Sequence, residues 1–211
     1  MGCDAYHPVS QRGSNLTEAG GIGYMVLDAI DSLILLGLDE EYRRAREWVA
    51  TELSFDRDGV YNTFEVSPPP SENMPVAQPF FQTTIRVLGG LLSVYELSGR
   101  DPLYLEKAID LANRMMPIFE THNGLPMTMV NLGLRQGIPD RHNNGWISTA
   151  EVATLQLEFK YLSHLTGDRK YWNAVEKIME VLRAARMHTG LAPIFVKWAL
   201  LPFDPHRHPC F

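Results

Sequence analysis

Three similar joints between helices constrain the fold of this chain more than any other feature of its sequence. They read Leu36-Gly-Leu-Asp-x-x-Tyr-x-x-Ala, Leu97-Ser-Gly-x-Asp-x-x-Tyr-x-x-x-Ala and Leu165-Thr-Gly-Asp-x-x-Tyr-x-x-Ala. Glycine is common just after the last residue of a helix, and aspartate is common at the N-cap of the next one. The repeat therefore predicts a series of helical hairpins.

The two helices of each predicted hairpin differ in their apolar pattern. The first is apolar on most sides, which is typical of a helix surrounded by others, and the second is apolar along one stripe. The predicted inner helices run from Tyr24 to Leu38, Thr83 to Leu97 and Ser148 to Leu165, and the outer ones begin near Glu40, Pro102 and just after Asp168. This alternation predicts an all-α fold, either an α/α toroid or a helical solenoid. The first twenty residues and Thr121 to Trp146 are rich in turn-forming residues and are predicted to be loops.

One internal segment does not follow the helical pattern. Val66 to Gln82 is rich in proline, contains no glycine and has no apolar period, which predicts an exposed or disordered insertion. If the segment is set aside, Glu65 and Arg86 fall four residues apart, a spacing that puts two side chains on one helix face. Val196 to Phe211 also lacks any period and is predicted to be a tail.

The composition narrows the classes of partner. The chain has 45% hydrophobic residues, 21% charged residues and a formal charge of −6, which predicts a soluble globular protein. Because lysine and arginine form no cluster, a nucleic acid or an anionic membrane surface is not expected as a partner. The longest apolar run, Ser32 to Leu38, is too short to cross a bilayer. Asn15-Leu-Thr17 fits the acceptor pattern for N-glycosylation.

Several acidic residues stand in the predicted inner helices among Leu, Ile, Val and Phe. They are Asp28, Asp31, Glu65, Glu151 and Glu158. An unpaired carboxylate there would cost several kcal/mol, so each must be paired, hydrogen-bonded or turned to a wet cavity. One interpretation is that each acid caps a loop or pairs with a neighbour such as Arg86. The other is that the acids converge on the axis of a toroid, as glycoside hydrolysis by two carboxyl groups requires.

A set of ordered motifs resembles the class I α-1,2-mannosidases, glycoside hydrolase family 47. The motifs are Gly2-Cys-Asp-Ala-Tyr-His-Pro, Gly20-Gly-Ile-Gly-Tyr, Asp28-Ala-Ile-Asp-Ser-Leu, Phe64-Glu with Thr84-Ile-Arg-Val-Leu-Gly-Gly-Leu-Leu, Gly124-Leu-Pro-Met with Val130-Asn, and Ala150-Glu-Val-Ala-Thr-Leu-Gln-Leu-Glu-Phe. The resemblance implies an (α/α)7 barrel of which this chain forms an N-terminal part. On this view residues 1–195 belong to the catalytic domain, residues 66–82 interrupt it, and residues 196–211 are an unrelated tail.

The resemblance also implies roles for individual residues. Glu65 stands where the family has its proton donor, and Arg86 where it has a substrate-contacting arginine. Asp28, Asp31 and Glu151 match acidic positions that line the barrel and bind substrate. The family uses Ca²⁺, but its direct threonine ligand and the acids on the base side have no counterpart in this chain, so no metal-ligating residue is predicted here.

The expected function is therefore that of a truncated mannosyl-oligosaccharide 1,2-α-mannosidase. Intact, such an enzyme removes α-1,2-linked mannose from high-mannose N-glycans with inversion, in the endoplasmic reticulum or Golgi; this chain alone is expected to be inactive. It carries no signal or anchor of its own, and self-association through exposed helices is expected. One alternative is a non-catalytic relative that binds mannose glycans in glycoprotein quality control, and another is an α/α scaffold that docks a partner.

Overall fold

Three helical hairpins form the frame of the structure, a computed structural model that describes residues 2–63, 83–139, 146–185 and 190–197. The first joins α1 (Tyr24–Leu35) to α2 (Asp39–Thr51), and the second joins α3 (Gly89–Leu97) to α4 (Pro102–Met115). The third follows a short helix, α5 (Thr149–Ala153), and joins α6 (Gln156–Thr166) to α7 (Arg169–Ala184). A 3₁₀ turn, Met116–Phe119, extends α4.

The hairpins stand side by side in two layers. In the inner layer α1 contacts α3 and α3 contacts α6, while each inner helix also packs on the outer helix of its own hairpin. The buried apolar side chains between the layers form one continuous core, which includes Leu27, Leu91, Tyr104, Phe159 and Val175. The predicted all-α architecture of inner and outer helices is confirmed.

The repeated joints adopt the predicted cap geometry, with one exception. Gly37, Gly99 and Gly167 all have a left-handed backbone, with φ of 68°, 75° and 72°, which a side chain would disfavour. Asp101 and Asp168 are N-caps and accept hydrogen bonds from the amides of Leu103 and Lys170. In the first joint Asp39 is instead the first helical residue, and the N-cap Leu38 makes no side-chain bond.

The inner helices are less regular than the sequence predicts. The predicted helix over Thr83 to Leu97 begins as a π-helical turn, Thr83–Leu88, before it becomes α3. The predicted helix over Ser148 to Leu165 is divided at Thr154 and Leu155. There the Thr154 hydroxyl donates to the carbonyl of Ala150 at 2.7 Å, a back-bond that commonly bends helices.

Short strands lie both within the segments that the sequence predicts to be loops and outside them. β1 (Ala5–His7) pairs with β2 (Arg12–Ser14), and an antiparallel sheet has the order β3 (Val60–Asn62), β4 (Met129–Asn131), β5 (Gln136–Ile138). In that sheet Tyr61 lies opposite Val130, and Val130 lies opposite Gly137. β6 (Trp146–Ser148) pairs with β7 (Phe195–Lys197), so the predicted boundary after Phe195 falls within a strand. The loop predictions missed β1, β2, β4 and β5 because strands of three residues are too short to show an alternating pattern.

A buried carboxylate fixes the N-terminal segment to the start of α1. Asp4 is 1% exposed, and its oxygens accept hydrogen bonds from the amides of Leu16, Ile22 and Tyr24 at 3.1, 2.9 and 3.1 Å. Burial raises the pKa of Asp4 above its ordinary value, and these backbone bonds oppose the increase. Asp4 thereby fixes the position from which α1 starts.

Part of the inner layer has no neighbour among the described residues. At the C-terminal end of α1, Leu35 is 70% exposed and Leu36 is 72% exposed, and Met25 near its start is also exposed. Leu157 on α6 is exposed in the same way. Within the described ranges, no helix is both long enough and apolar enough to cross a membrane.

Candidate active site

The site is built where α1 and α3 approach most closely. A side-chain carbon added at Gly90 would collide with the carbonyl oxygen of Leu27, so only glycine allows the two backbones to lie this near. This approach places the face of α1 that carries Asp28 and Asp31 beside the π-helical turn and α3. Polar residues predicted from the sequence meet across this contact.

Arg86 and Asp28 form an ion pair between the π-helical turn and α1. Nη1 of Arg86 lies 2.9 Å from Oδ2 of Asp28, and the side chains are 42% and 36% exposed. The guanidinium carbon of Arg86 also lies 5.7 Å from the ring centre of Tyr24, a cation–π contact. The two predicted substrate-binding residues therefore sit together, accessible to solvent and held from one side by an aromatic ring.

Asp31, about one turn after Asp28 on α1, is bound to α3. Its Oδ2 accepts a hydrogen bond from the Ser93 hydroxyl at 2.8 Å, and its Oδ1 accepts one from Ser32 at 3.3 Å. Asp28 and Asp31 lie three residues apart on one helix, so both face α3. The structure thus brings Asp28, Asp31 and Arg86 together along a single contact between inner helices.

Glu151 lies on a different element and is used by the backbone. It is 5% exposed and occupies the third position of α5, where its Oε2 accepts the amide of Ser148 at 2.9 Å. Ser148 in turn caps the amide of Glu151, which completes a capping box. For Glu151 the structure thus shows an acid that caps a backbone, which is the first of the two interpretations.

Glu158 on α6 has one carboxylate oxygen, Oε2, that is buried without a hydrogen-bond partner among the described residues. Its Cγ and Oε1 lie 3.8 Å from the position that a Cβ on Gly89 would take, which places the carboxyl group against α3. Because burial disfavours the charged form, the pKa of Glu158 is raised above its ordinary value. Burial thus disfavours the charged carboxylate of Glu158 at this interface.

Glu65, the predicted proton donor, lies outside the described residues. The described residues on either side of that segment, up to Thr63 and from Thr83, are bonded to each other. The Thr83 and Thr84 hydroxyls donate to the carbonyls of Asn62 and Thr63, each at 2.6 Å. The end of β3 is therefore joined directly to the turn that carries Arg86. Residues 66–82 and the tail from residue 198 onward also lie outside the described part of the chain.

The described residues do not form a calcium site. Ca²⁺ takes about six to eight oxygen ligands, several of them carboxylates. Across residues 2–63, 83–139, 146–185 and 190–197, no group of three or more His, Cys, Asp or Glu is placed to hold a metal ion. The Asp28 and Asp31 carboxylates are already engaged by Arg86 and Ser93, so we derive no step that uses a metal.

Three residues important to the site were not identified as such from the sequence. Ser93 and Tyr24 hold Asp31 and Arg86, and Asp4 positions the start of α1. Ser93 and Asp31 share no sequence pattern, since their contact depends on how two helices cross. Asp4 lies inside the Gly2-Cys-Asp motif, where only its burial reveals its role.

The chain is similar to known proteins over most of its length. The sequence profile of glycosyl hydrolase family 47 matches residues 1–207. The chain is 46% identical over 197 residues to the endoplasmic reticulum mannosyl-oligosaccharide 1,2-alpha-mannosidase of Schizosaccharomyces pombe, covering 92% of the chain and 34% of the relative. Its identity to the enzyme of that name from Homo sapiens is 40%, with 92% and 25% covered. The chain thus spans about a third or less of the length of these relatives.

A solved structure gives the same result for the fold. The alpha-1,2-mannosidase from Trichoderma reesei superimposes with a TM-score of 0.72 at 24% identity, covering 94% of this chain and 40% of that chain. The prediction of a partial α/α barrel is therefore confirmed. Together with the profile match over nearly the whole sequence, these findings show that the chain belongs to glycosyl hydrolase family 47.

Proposed function

We propose that this chain supplies the proton-donor side of the sugar-binding cavity of an α-1,2-mannosidase that acts on high-mannose N-glycans. The observation that supports the proposal most is the contact between α1 and α3, where Asp28 meets Arg86 and Asp31 meets Ser93. Two carboxylates of α1 thus meet a guanidinium and a hydroxyl of the neighbouring inner helix. Sugar hydroxyls donate and accept hydrogen bonds, so they pair well with such a mixed set.

Arg86 and Asp28 are the proposed contacts to the sugar. Both are more than a third exposed, so a ligand can reach them without opening the core. The pair keeps each side chain in a fixed position before the ligand arrives, which lowers the entropy lost on binding. Asp31 and Glu151 are proposed as further substrate-binding residues.

Glu65 is the proposed general acid. It lies two residues beyond Thr63, whose carbonyl is bound by Thr84. Inversion requires a second carboxyl group roughly 6.5 to 9.5 Å away, on the other face of the sugar, to activate water. We propose that the acids of α1, α5 and α6 do not take that role. The 211 residues alone are therefore proposed to bind glycan without hydrolysing it.

The proposed setting is the secretory pathway. The relatives from Schizosaccharomyces pombe and Homo sapiens are named as endoplasmic reticulum enzymes. For the complete enzyme, Ca²⁺ is proposed as the cofactor, with its ligands supplied outside the residues described here. A high-mannose N-glycan is the proposed partner both of this chain and of the complete enzyme.

A chimera tests the catalytic proposal. Residues 1–195 without 66–82 would replace the matching segment of an active relative, and release of mannose from an oligomannose glycan would be measured. The chimera is expected to be active. In the chimera, Glu65→Gln should lower turnover by about two to four orders of magnitude, the scale of a lost general acid, while glycan binding is retained. A chimera whose turnover is insensitive to Glu65→Gln would exclude Glu65 as the acid.

The second candidate is a glycan-binding relative without turnover. The engagement of Asp28 and Asp31 by Arg86 and Ser93 favours it, because a preformed polar surface can bind a sugar without any reacting group. A folded chimera that binds oligomannose but releases no mannose would support this candidate. Binding that is equal for oligomannose and for a glycan without mannose would exclude both.

A further inference from the structure

The triplet Asn15-Leu16-Thr17 lies between β2 and α1 and has no part in the function proposed above. Asn15 is exposed, whereas the backbone around it is fixed: the amide of Leu16 donates to Oδ2 of the buried Asp4 at 3.1 Å. The triplet is therefore an exposed asparagine on an ordered segment, beside the start of an inner helix.

The side chain of Asn15 is oriented by its contact with Gly21. Its Oδ1 lies 2.7 Å from the position that a Cβ on Gly21 would take, and the absence of that carbon makes room for the amide oxygen. With the oxygen turned toward Gly21, the amide nitrogen is on the opposite side of the group. That nitrogen is the atom to which an N-linked glycan is attached, and attachment there does not require Asn15 to leave Gly21.

Thr17 has a second use in the folded chain. Its hydroxyl donates to the carbonyl of Gly20 at 3.2 Å and lies 3.2 Å from the hydroxyl of Tyr61 on β3. Its side chain also fills the space over Gly59, where its β-carbon is 3.0 Å from the position of an added Cβ. The hydroxyl that completes the acceptor triplet is thus bound to β3 once the N-terminal segment has docked.

We propose that Asn15 is N-glycosylated in the secretory pathway before Thr17 docks against Tyr61. The amide nitrogen of Asn15 forms a bond to C1 of the sugar at the reducing end of a lipid-linked oligosaccharide diphosphate. The bond between C1 and the diphosphate oxygen breaks, the amide loses one proton, and the lipid diphosphate leaves. Afterwards the Thr17 hydroxyl is released to bind Gly20 and Tyr61. The proposal depends on the lumenal location given above and is independent of mannosidase activity.

Translation of the full chain behind a cleavable signal peptide, in the presence of microsomes, tests the proposal. Only chains protected from added protease are scored, so that every scored chain is lumenal. The unchanged chain should carry one glycan that endoglycosidase H removes, and Asn15→Gln should carry none. Thr17→Ser, which keeps the hydroxyl, should still be modified, whereas Thr17→Val, which keeps the shape, should not.

The chain offers a matched control at an exposed position. Glu52→Asn completes an acceptor triplet with Leu53 and Ser54, so this variant should carry two glycans and its combination with Asn15→Gln only one. Protected chains without a glycan, or a glycan that persists in Asn15→Gln, would overturn the proposal. The signal peptide imposes the location, and no mannose release is measured. Failure of the glycosylation proposal would therefore not count against the proposed function, which the chimera tests separately.

Discussion

The hydroxyl of Thr84 donates to the carbonyl oxygen of Thr63 at 2.6 Å, although the two residues lie 21 positions apart in the sequence. The amide of Thr84 also lies 3.2 Å from the same oxygen. Both residues are buried. The end of β3 and the start of the π-helical turn are therefore neighbours in space, and two connecting residues are enough to join them.

Deletion of residues 66–82 should leave the free energy of unfolding unchanged or increase it. The borders of the segment are already held together, and a shorter connection loses less entropy on closure. Urea denaturation would measure the effect. As a control, Thr84→Val, which leaves the Thr63 carbonyl without its hydroxyl donor, should lower the free energy of unfolding by about 1 to 2 kcal/mol. A deletion more destabilising than Thr84→Val would contradict our assignment of the segment as an insertion.

Asp28→Asn should reduce glycan affinity much more than stability. The ion pair with Arg86 is more than a third exposed, and such pairs contribute at most about 1 kcal/mol. Paired measurements of urea denaturation and of binding to immobilised oligomannose would separate the two effects. Arg86→Lys is the matched change on the other side, since it keeps the charge but not the planar donor fork. A loss of about 3 kcal/mol or more in stability would indicate a structural pair instead.

Two substitutions at Glu151 should separate its structural role from its proposed role in binding. Glutamine can replace glutamate in a capping box, so Glu151→Gln should keep stability, while Glu151→Ala should lower it by about 1 kcal/mol. If Glu151 also binds sugar, both variants should bind oligomannose more weakly. Full binding by Glu151→Gln would mean that the residue only caps α5.

Glu158 should make the protein less stable as the pH rises. Its pKa in the folded chain is raised above the ordinary 4.5 by burial, so the unfolded chain loses the proton first. The stabilisation is complete below pH 4.5 and is lost as the pH increases through the raised pKa. Melting temperatures of the chain and of Glu158→Gln, compared from acid to neutral pH, should therefore diverge in favour of the variant. A constant difference across that range would argue against a raised pKa.

Leu35→Glu combined with Leu36→Glu should reduce self-association without unfolding the chain. Both side chains are at least 70% exposed at the end of α1, so charging them removes apolar surface that another copy could cover. Sedimentation velocity would measure the change in oligomer size. Val49→Glu, at a fully buried position of α2, is the control that should unfold the protein. Equal association of the double variant and the unchanged chain would exclude this surface.

The sequence predicted the elements that depend on local rules and missed those that depend on distant partners. The joints were correct because glycine and aspartate determine helix ends within a few residues, as at Gly99 and Asp101. The π-helical turn was missed because no helical period records the bonds that join Thr83 and Thr84 to Asn62 and Thr63.

The same distinction holds for the candidate site. The residues of the site were suggested by acids in apolar surroundings and by resemblance to a family, and three of them meet as a cluster. Their partners were not predicted: the crossing at Gly90 decides that Asp31 meets Ser93, and a crossing point is a property of two helices rather than of one sequence segment. Glu158 was included among the acids, but the burial that distinguishes it follows from the packing of α6 on α3.

The uncovered end of α1 has a consequence for the life of this protein in a cell. Chaperones that hold unfolded chains and the proteases that act with them select exposed apolar segments, and small differences in their access change protein abundance several-fold. Leu35 and Leu36 offer such a segment at the end of α1. How long a newly made copy survives should therefore depend on how soon another surface shields these two leucines.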